Sequence, residues 1–106
     1  MGYEVDHTPL TRDGGVDLWA LKRDDLSSVQ YAIDVKKYRR DRRVGPEPIR
    51  AIYGVVQSEG ATVGMIVTTA GFGPAAQQLA EQHRYRLALK DFDDVAGWIR
   101  QVNNQR

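Results

Sequence analysis

Apolar and polar positions change period as the chain is read from its start. Tyr3 to His7 reads as a short strand. Thr11 to Gly15 is a turn, marked by Asp13-Gly14-Gly15. Val16 to Lys22 is apolar with weak alternation and reads as a second strand, closed by the polar turn Arg23 to Ser28. Gln30 to Lys37 is a third strand. Side chains alternate along a strand, so Tyr31, Ile33 and Val35 share one face, expected to be core. Ala32, Asp34 and Lys36 share the other. Three strands joined by turns predict an antiparallel meander.

After Pro48 the period becomes helical. Ile49, Ile52, Tyr53 and Val56 follow one face, and Gly60 stands where a helix would stop. Val63 to Thr69 reads as a buried strand. Gly73-Pro74 opens a second helix, with Ala76, Leu79, Ala80 and His83 on one face. Tyr85 to Leu89 is a further strand. Asp91 is placed to cap a last helix, with Asp94 in its first turn and Val95, Trp98, Ile99 and Val102 on its apolar face. The order βββ-α-β-α-β-α predicts an α/β domain with a mixed central sheet.

Composition narrows the chemistry. The 106 residues fit one domain, spanning residues 1-106, whose core is modest. With no cysteine, disulfides, thiolate metal sites and cysteine nucleophiles are excluded. No leader pattern and no membrane-length apolar run is seen, so a cytoplasmic location without membrane contact is expected. His7 and His83 lie too far apart for a zinc motif, and Ser27 and Ser28 carry no local nucleophile motif. Trp19 and Trp98 read as core. Net charge is only +1, yet Lys36, Lys37, Arg39, Arg40, Arg42 and Arg43 fall within eight positions. Such a run makes a local positive patch.

Asp34 and Lys36 leave the same face of one strand. Asp17 lies near the start of the preceding strand, and antiparallel pairing brings that start beside the end of the next. Two carboxylates meeting a lysine can bind a hard cation such as Mg²⁺, with substrate phosphate completing its shell. The cation can polarise a phosphodiester, while a lysine orients water or stabilises developing charge. The plainer alternative is a surface ion pair, contributing about 0–1 kcal/mol.

The surroundings of the three residues carry a more specific signal. Asp13-Gly14-Gly15-Val16-Asp17-Leu18, then Tyr31-Ala32-Ile33-Asp34-Val35-Lys36-Lys37-Tyr38, resembles the Mrr-like restriction endonuclease family of the PD-(D/E)xK nuclease superfamily. Arg50-Ala51-Ile52-Tyr53-Gly54 and Val67-Thr68-Thr69-Ala70-Gly71-Phe72 extend the likeness in the same order, from about Gly2 to about Trp98. The resemblance implies a restriction endonuclease-like core and hydrolysis of DNA phosphodiesters. It also implies Mg²⁺, or Mn²⁺, on Asp17 and Asp34, with Lys36 as the catalytic lysine. Many members carry glutamine or glutamate where this chain has Asp34; aspartate keeps the ligand chemistry. The family's N-terminal helix, which often brings a glutamate to the site, has no counterpart here, since only Met1 precedes Gly2-Tyr3-Glu4-Val5. The expectation is that a segment outside this sequence, or another chain, supplies that cover.

The run Lys37, Arg39, Arg40, Arg42 and Arg43 is expected to contact DNA phosphates, giving salt-dependent, sequence-independent affinity. Thr69, at a strand-to-helix turn, is expected to join it through an anion contact. Glu47, Arg50 and Gln57 read as ordinary helix surface. Cutting two strands takes two centres, so a homodimer is expected, with base recognition left to a separate domain or chain. The competing reading is a catalytically incomplete nucleic-acid-binding module of the same fold.

Overall fold

The computed structural model describes residues 3–7, 16–23 and 25–104, with backbone alone for 3–7, 98 and 102–104. The alternating segments form β1 (Tyr3–His7), β2 (Leu18–Arg23) and β3 (Ser28–Lys36). β1 pairs antiparallel with β2, and β2 with β3, as the meander requires. The Asp13-Gly14-Gly15 turn lies outside the described residues. A short strand β4 (Arg43–Val44) leads into α1 (Pro46–Glu59), followed by β5 (Val63–Thr68) and β6 (Gly71–Phe72). Then come α2 (Pro74–Gln82), β7 (Leu87–Lys90) and α3 (Phe92–Asn104). The expected order is present, with the two-residue strands β4 and β6 added and paired parallel to each other. Tyr85, expected to begin the last strand, instead lies in the turn before it and is largely exposed.

Local chemistry explains the helix ends. Pro46 occupies the first turn of α1, where a missing N–H costs nothing. Gly60 ends the helix at φ 76°, a left-handed conformation that favours glycine, and donates its N–H to Val56 O at 3.2 Å. Asp91 and Asp94 cap α3 reciprocally. Each carboxylate accepts the other's backbone N–H, at 3.0 Å in both directions.

The main sheet has the order β1-β2-β3-β5-β7, with β3, β5 and β7 parallel. α1 and α2 cover the face carrying Ala32, Gly64, Ile66 and Leu87, and the densest core lies there, with Ile49, Ile52 and Val56 fully buried. α3 lies on the opposite face, beside Tyr31, Ile33 and Met65. The sequence expectation for the faces of β3 is therefore corrected. Tyr31, Ile33 and Val35 are only half-buried, whereas Ala32 and Asp34 are buried. The reason is crowding. α1 comes close to the sheet at Gly64, and the small Ala32 stands beside it, whereas Tyr31, Ile33 and Met65 occupy the side that α3 covers in part. Ile99 of α3, expected on its apolar face, is 56% exposed. Trp19 packs against the core as expected, while the side chains of Trp98 and Val102 lie outside the described residues.

Gly64 marks the closest approach of α1 to β5. A Cβ there would stand 2.9 Å from Val56 Cγ2 and 3.0 Å from Ile52 Cγ1. Both neighbours are β-branched and stiff at χ1, so they yield poorly. Gly64→Ala is expected to destabilise the domain by about 1–3 kcal/mol through overpacking. Denaturant unfolding measures this, and wild-type stability in the variant would contradict the close packing.

Candidate active site

Asp17 directly precedes β2. Its N–H donates to Ile33 O at 2.8 Å, the carbonyl of the residue paired with Leu18. The Asp17 and Asp34 carboxyls lie within hydrogen-bonding reach of each other. The Asp17 Oδ2 accepts the Val35 N–H at 2.8 Å, which fixes the carboxylate against the third strand. Asp34 is 4% exposed. Burial pushes the Asp34 carboxyl above its ordinary pKa, and a hydrogen bond with the Asp17 carboxyl pushes the same way. Lys36 pulls it back, its Nζ lying 3.3 Å from Asp34 Oδ2, without cancelling the rise.

The structure thus brings together all three residues singled out in the sequence. They gather at the carboxyl ends of the parallel strands β3 and β5, where open α/β sheets commonly bind ligands. Lys36 is half-buried and points its amine at the Asp34 carboxylate. Asp17 and Asp34 suit a cation by their chemistry. Two neighbouring carboxyls, one of them buried, leave excess negative charge that a divalent ion would neutralise. Among the described residues no cluster of three or more His, Cys, Asp or Glu forms, so among them Asp17 and Asp34 are the carboxylates that could hold a cation. That number suits Mg²⁺, which keeps waters and takes substrate phosphate.

Two threonines at the end of β5 bind the end of β3. Thr68 is buried; its hydroxyl donates to Lys36 O at 2.8 Å and accepts the Ala70 N–H at 3.1 Å. The Thr69 N–H also donates to Lys36 O, at 3.2 Å. The Thr69 hydroxyl donates to Tyr38 O at 2.7 Å and accepts the Tyr38 N–H at 2.9 Å. Both hydrogen-bond donors of Thr69 are therefore committed within the chain.

The basic run forms an ordered excursion between β3 and β4. Arg42 N–H closes a turn on Arg39 O at 2.9 Å, and Arg39 pairs with Asp41 at 3.1 Å. The Arg42 guanidinium lies over the Tyr38 ring at 4.1 Å, and that of Arg40 over Phe92 at 3.6 Å. Arg43 reaches the carbonyls of Arg40 and Arg42 at 3.4 and 3.3 Å. Lys37, Arg39, Arg40, Arg42 and Arg43 are all exposed. Phe92 carries no sequence signal for this contact, since its partner lies on a distant loop.

The remaining candidates stay outside the site. Arg50 pairs with Glu47 on the exposed side of α1, and Gln57 is exposed. His83 ends α2 and stacks on Tyr53 with ring centroids 4.1 Å apart. Among the described residues no helix is long and apolar enough to cross a membrane.

A mixed sheet flanked by helices in this order defines a domain of restriction endonuclease-like fold. The chain belongs to the Mrr_cat family, described as restriction endonuclease, whose model matches residues 1–99. In structure it is similar to the DNA modification-dependent restriction endonuclease AspBHI, with a TM-score of 0.80 and 24% identity over 95% of this chain and 27% of that one. It is also similar to the MspJI restriction endonuclease, solved in complex with a 27-mer oligonucleotide, with a TM-score of 0.73 and 23% identity over 90% of this chain and 22% of that one. In sequence it is 26% identical to the uncharacterized protein y4cE of Sinorhizobium fredii (strain NBRC 101917 / NGR234), over 90% of this chain and 25% of that protein. The chain spans about a quarter of the length of these relatives.

A carboxyl whose pKa is higher in the folded than in the unfolded chain supports the fold below the unfolded value. That support is lost as pH rises through the folded value. Without a cation, Asp34 therefore opposes folding near neutrality. Asp34→Asn offers Asp17 an N–H in place of the proton and carries no charge. In chelator near neutral pH it is expected to raise Tm by a few degrees and to flatten the fall in stability above the acid range. Thermal melts across pH read this directly. A lower Tm for the variant at neutral pH would contradict the placement of Asp34.

Proposed function

We propose that this chain is a metal-dependent endodeoxyribonuclease domain whose centre is Asp17, Asp34 and Lys36. The observation that carries the reading is the meeting of two carboxyls and an amine at one sheet end, the Asp34 carboxyl buried and Lys36 Nζ 3.3 Å from it. Asp17 and Asp34 would hold Mg²⁺, or Mn²⁺ in its place. When bound, the cation supplies polarisation of the phosphodiester and neutralises charge on the leaving oxygen. Asp17, at the entry to β2 and braced by the Val35 N–H, and Asp34, on β3 and braced by Lys36, would present their oxygens to it. Lys36 stabilises negative charge that builds on the phosphoryl oxygens and orients the attacking water.

Lys37, Arg39, Arg40, Arg42 and Arg43 would follow the DNA backbone beside this centre. Thr69 contributes by holding their loop. A duplex cut on both strands takes two such centres, so the reading includes a pair of these domains in a homodimer. Base recognition, and any preference for modified DNA such as the name of one structural neighbour declares, falls to the rest of a longer protein or to a separate chain. The two-carboxylate ligand set also suits a second reading, a DNA-binding module of this fold without turnover.

Nicking of modified and unmodified plasmid in Mg²⁺ or Mn²⁺ separates the two. Cleavage that chelator abolishes, and that falls about 100-fold or more in Asp17→Ala, Asp34→Ala and Lys36→Ala, is the expected result. Full cleavage by Asp34→Ala and Lys36→Ala would dismiss the centre. Salt-sensitive binding without cleavage would favour the second reading. Replacing Arg39 and Arg42 together by alanine is expected to weaken DNA binding for every sequence tested. It should also reduce the slope of log affinity against log salt by about two. An unchanged slope would remove the loop from the interface.

A further inference from the structure

Lys36 is the last residue of β3, and the chain leaves the main sheet directly after it. A strand end of this kind frays unless something holds it, and here the amine at that end faces the Asp34 carboxyl. The holding groups are not part of the catalytic trio. Thr68 and Thr69 place two donors on the carbonyl of Lys36, and the Thr69 hydroxyl then takes both backbone groups of Tyr38. One dipeptide thus fixes the main chain of Lys36 and, two residues on, the root of the arginine-rich loop. The same stretch continues into β6, which pairs Gly71 with Arg43 and Phe72 with Val44 at the far end of that loop. Gly73 N–H donates to Val44 O at 2.9 Å and closes the arrangement. The loop from Lys37 to Arg42 is therefore fastened at both ends by one continuous segment, residues 68–73.

We infer that Thr68 and Thr69 are positioning residues. Thr68 sets the main chain from which Lys36 reaches the carboxylate pair, and Thr69 sets the loop that carries the arginines. The inference rests on the nuclease reading above and deepens it by linking the chemical centre to the DNA-contacting loop through one threonine pair. The side chains divide the work. Thr68 is buried and bonded to Lys36 O, so its loss acts on the chemical step. Thr69 is exposed and bonded to Tyr38, so its loss acts on substrate binding.

The test uses the whole chain with the substitutions Thr68→Val, Thr68→Ser, Thr69→Val and Thr69→Ser. Valine keeps the shape and removes the hydroxyl; serine keeps the hydroxyl. Thr68→Val is expected to lower kcat about 10- to 100-fold with little change in KM, as a misplaced catalytic group does. Thr69→Val is expected to act mainly by raising KM, and to weaken DNA binding several-fold in chelator, where no cleavage intervenes. Each serine variant is expected to restore most of the loss. Hydrogen exchange at the Tyr38 amide, protected in the native protein, should accelerate in Thr69→Val and recover in Thr69→Ser.

Separate failures are distinguishable. If Asp34→Ala and Lys36→Ala cleave normally, the nuclease centre itself is wrong. If those two abolish cleavage while Thr68→Val keeps full kcat, Thr68 does not position Lys36. If Tyr38 exchange accelerates in Thr69→Val but DNA affinity holds, Thr69 is a fold element only and the coupling is overturned. The affinity and exchange measurements decide the role of Thr69 even where the wild-type chain binds DNA without cutting it. Equal melting temperatures for the valine and serine variants exclude general unfolding as the cause.

Discussion

The Asp34 carboxyl is held on the helix-covered side of the sheet, 4% exposed, with the Asp17 carboxyl within hydrogen-bonding reach. Burying one carboxylate is costly, and setting a second beside it adds repulsion. The chain offsets this with the few groups that can reach. Lys36 Nζ approaches Asp34, and the Val35 N–H binds Asp17. Burial, reinforced by the hydrogen bond with Asp17, outweighs Lys36, so Asp34 holds its proton more tightly than an ordinary aspartate. A site in that condition is ready for a cation. The architecture around it keeps it so, because α1 and α2 exclude water from the same face that carries the acids.

The close approach of α1 is a second consequence of the same packing. Ala32 and Gly64 are neighbours in the β3–β5 register, and their small size admits Ile52 and Val56 directly onto the sheet. Three residues further along each strand stand Val35 and Val67, facing the other way. Beyond the apolar contact the same face turns polar, through Asp34 and then Lys36 and Thr68. Core and site are thus successive stretches of one sheet face, and rigidity in the first is passed to the second.

Order in the arginine-rich loop is unusual for so charged a segment, since like charges repel and solvated side chains gain little from being fixed. Here the ordering comes from the backbone and from aromatic rings. Thr69 and β6 fasten the two ends, and Tyr38 and Phe92 carry the Arg42 and Arg40 guanidiniums on their faces. Cation–π contacts contribute about 0.5–1 kcal/mol each at exposed sites.

Much of this was legible along the chain because the signals are local. Pro48, Gly60, Gly73-Pro74 and Asp91 mark helix ends to within about two residues through their own backbone preferences, and the β3 alternation sets Asp34 and Lys36 on one face by the period of two. The likeness to restriction endonucleases, read from Asp17, Asp34, Lys36 and the Thr68-Thr69 loop, agrees with the family match. What the residues alone could not decide is which face of β3 the helices would cover. The apolar face of that strand, Tyr31, Ile33 and Val35, is only half-buried, and the helices instead cover the face of Ala32 and Asp34, where Gly64 of β5 lets α1 approach. β4 and β6 are two residues long and have no period to read. The commitment of the Thr69 donors to Tyr38, and the Arg40–Phe92 stack, join positions far apart in sequence. Local propensity determined the elements and the candidate acids. Only tertiary packing decided their burial, the partners that charge them, and the fastening of the loop beside them, because each of those is a contact between segments that meet only once the sheet has closed.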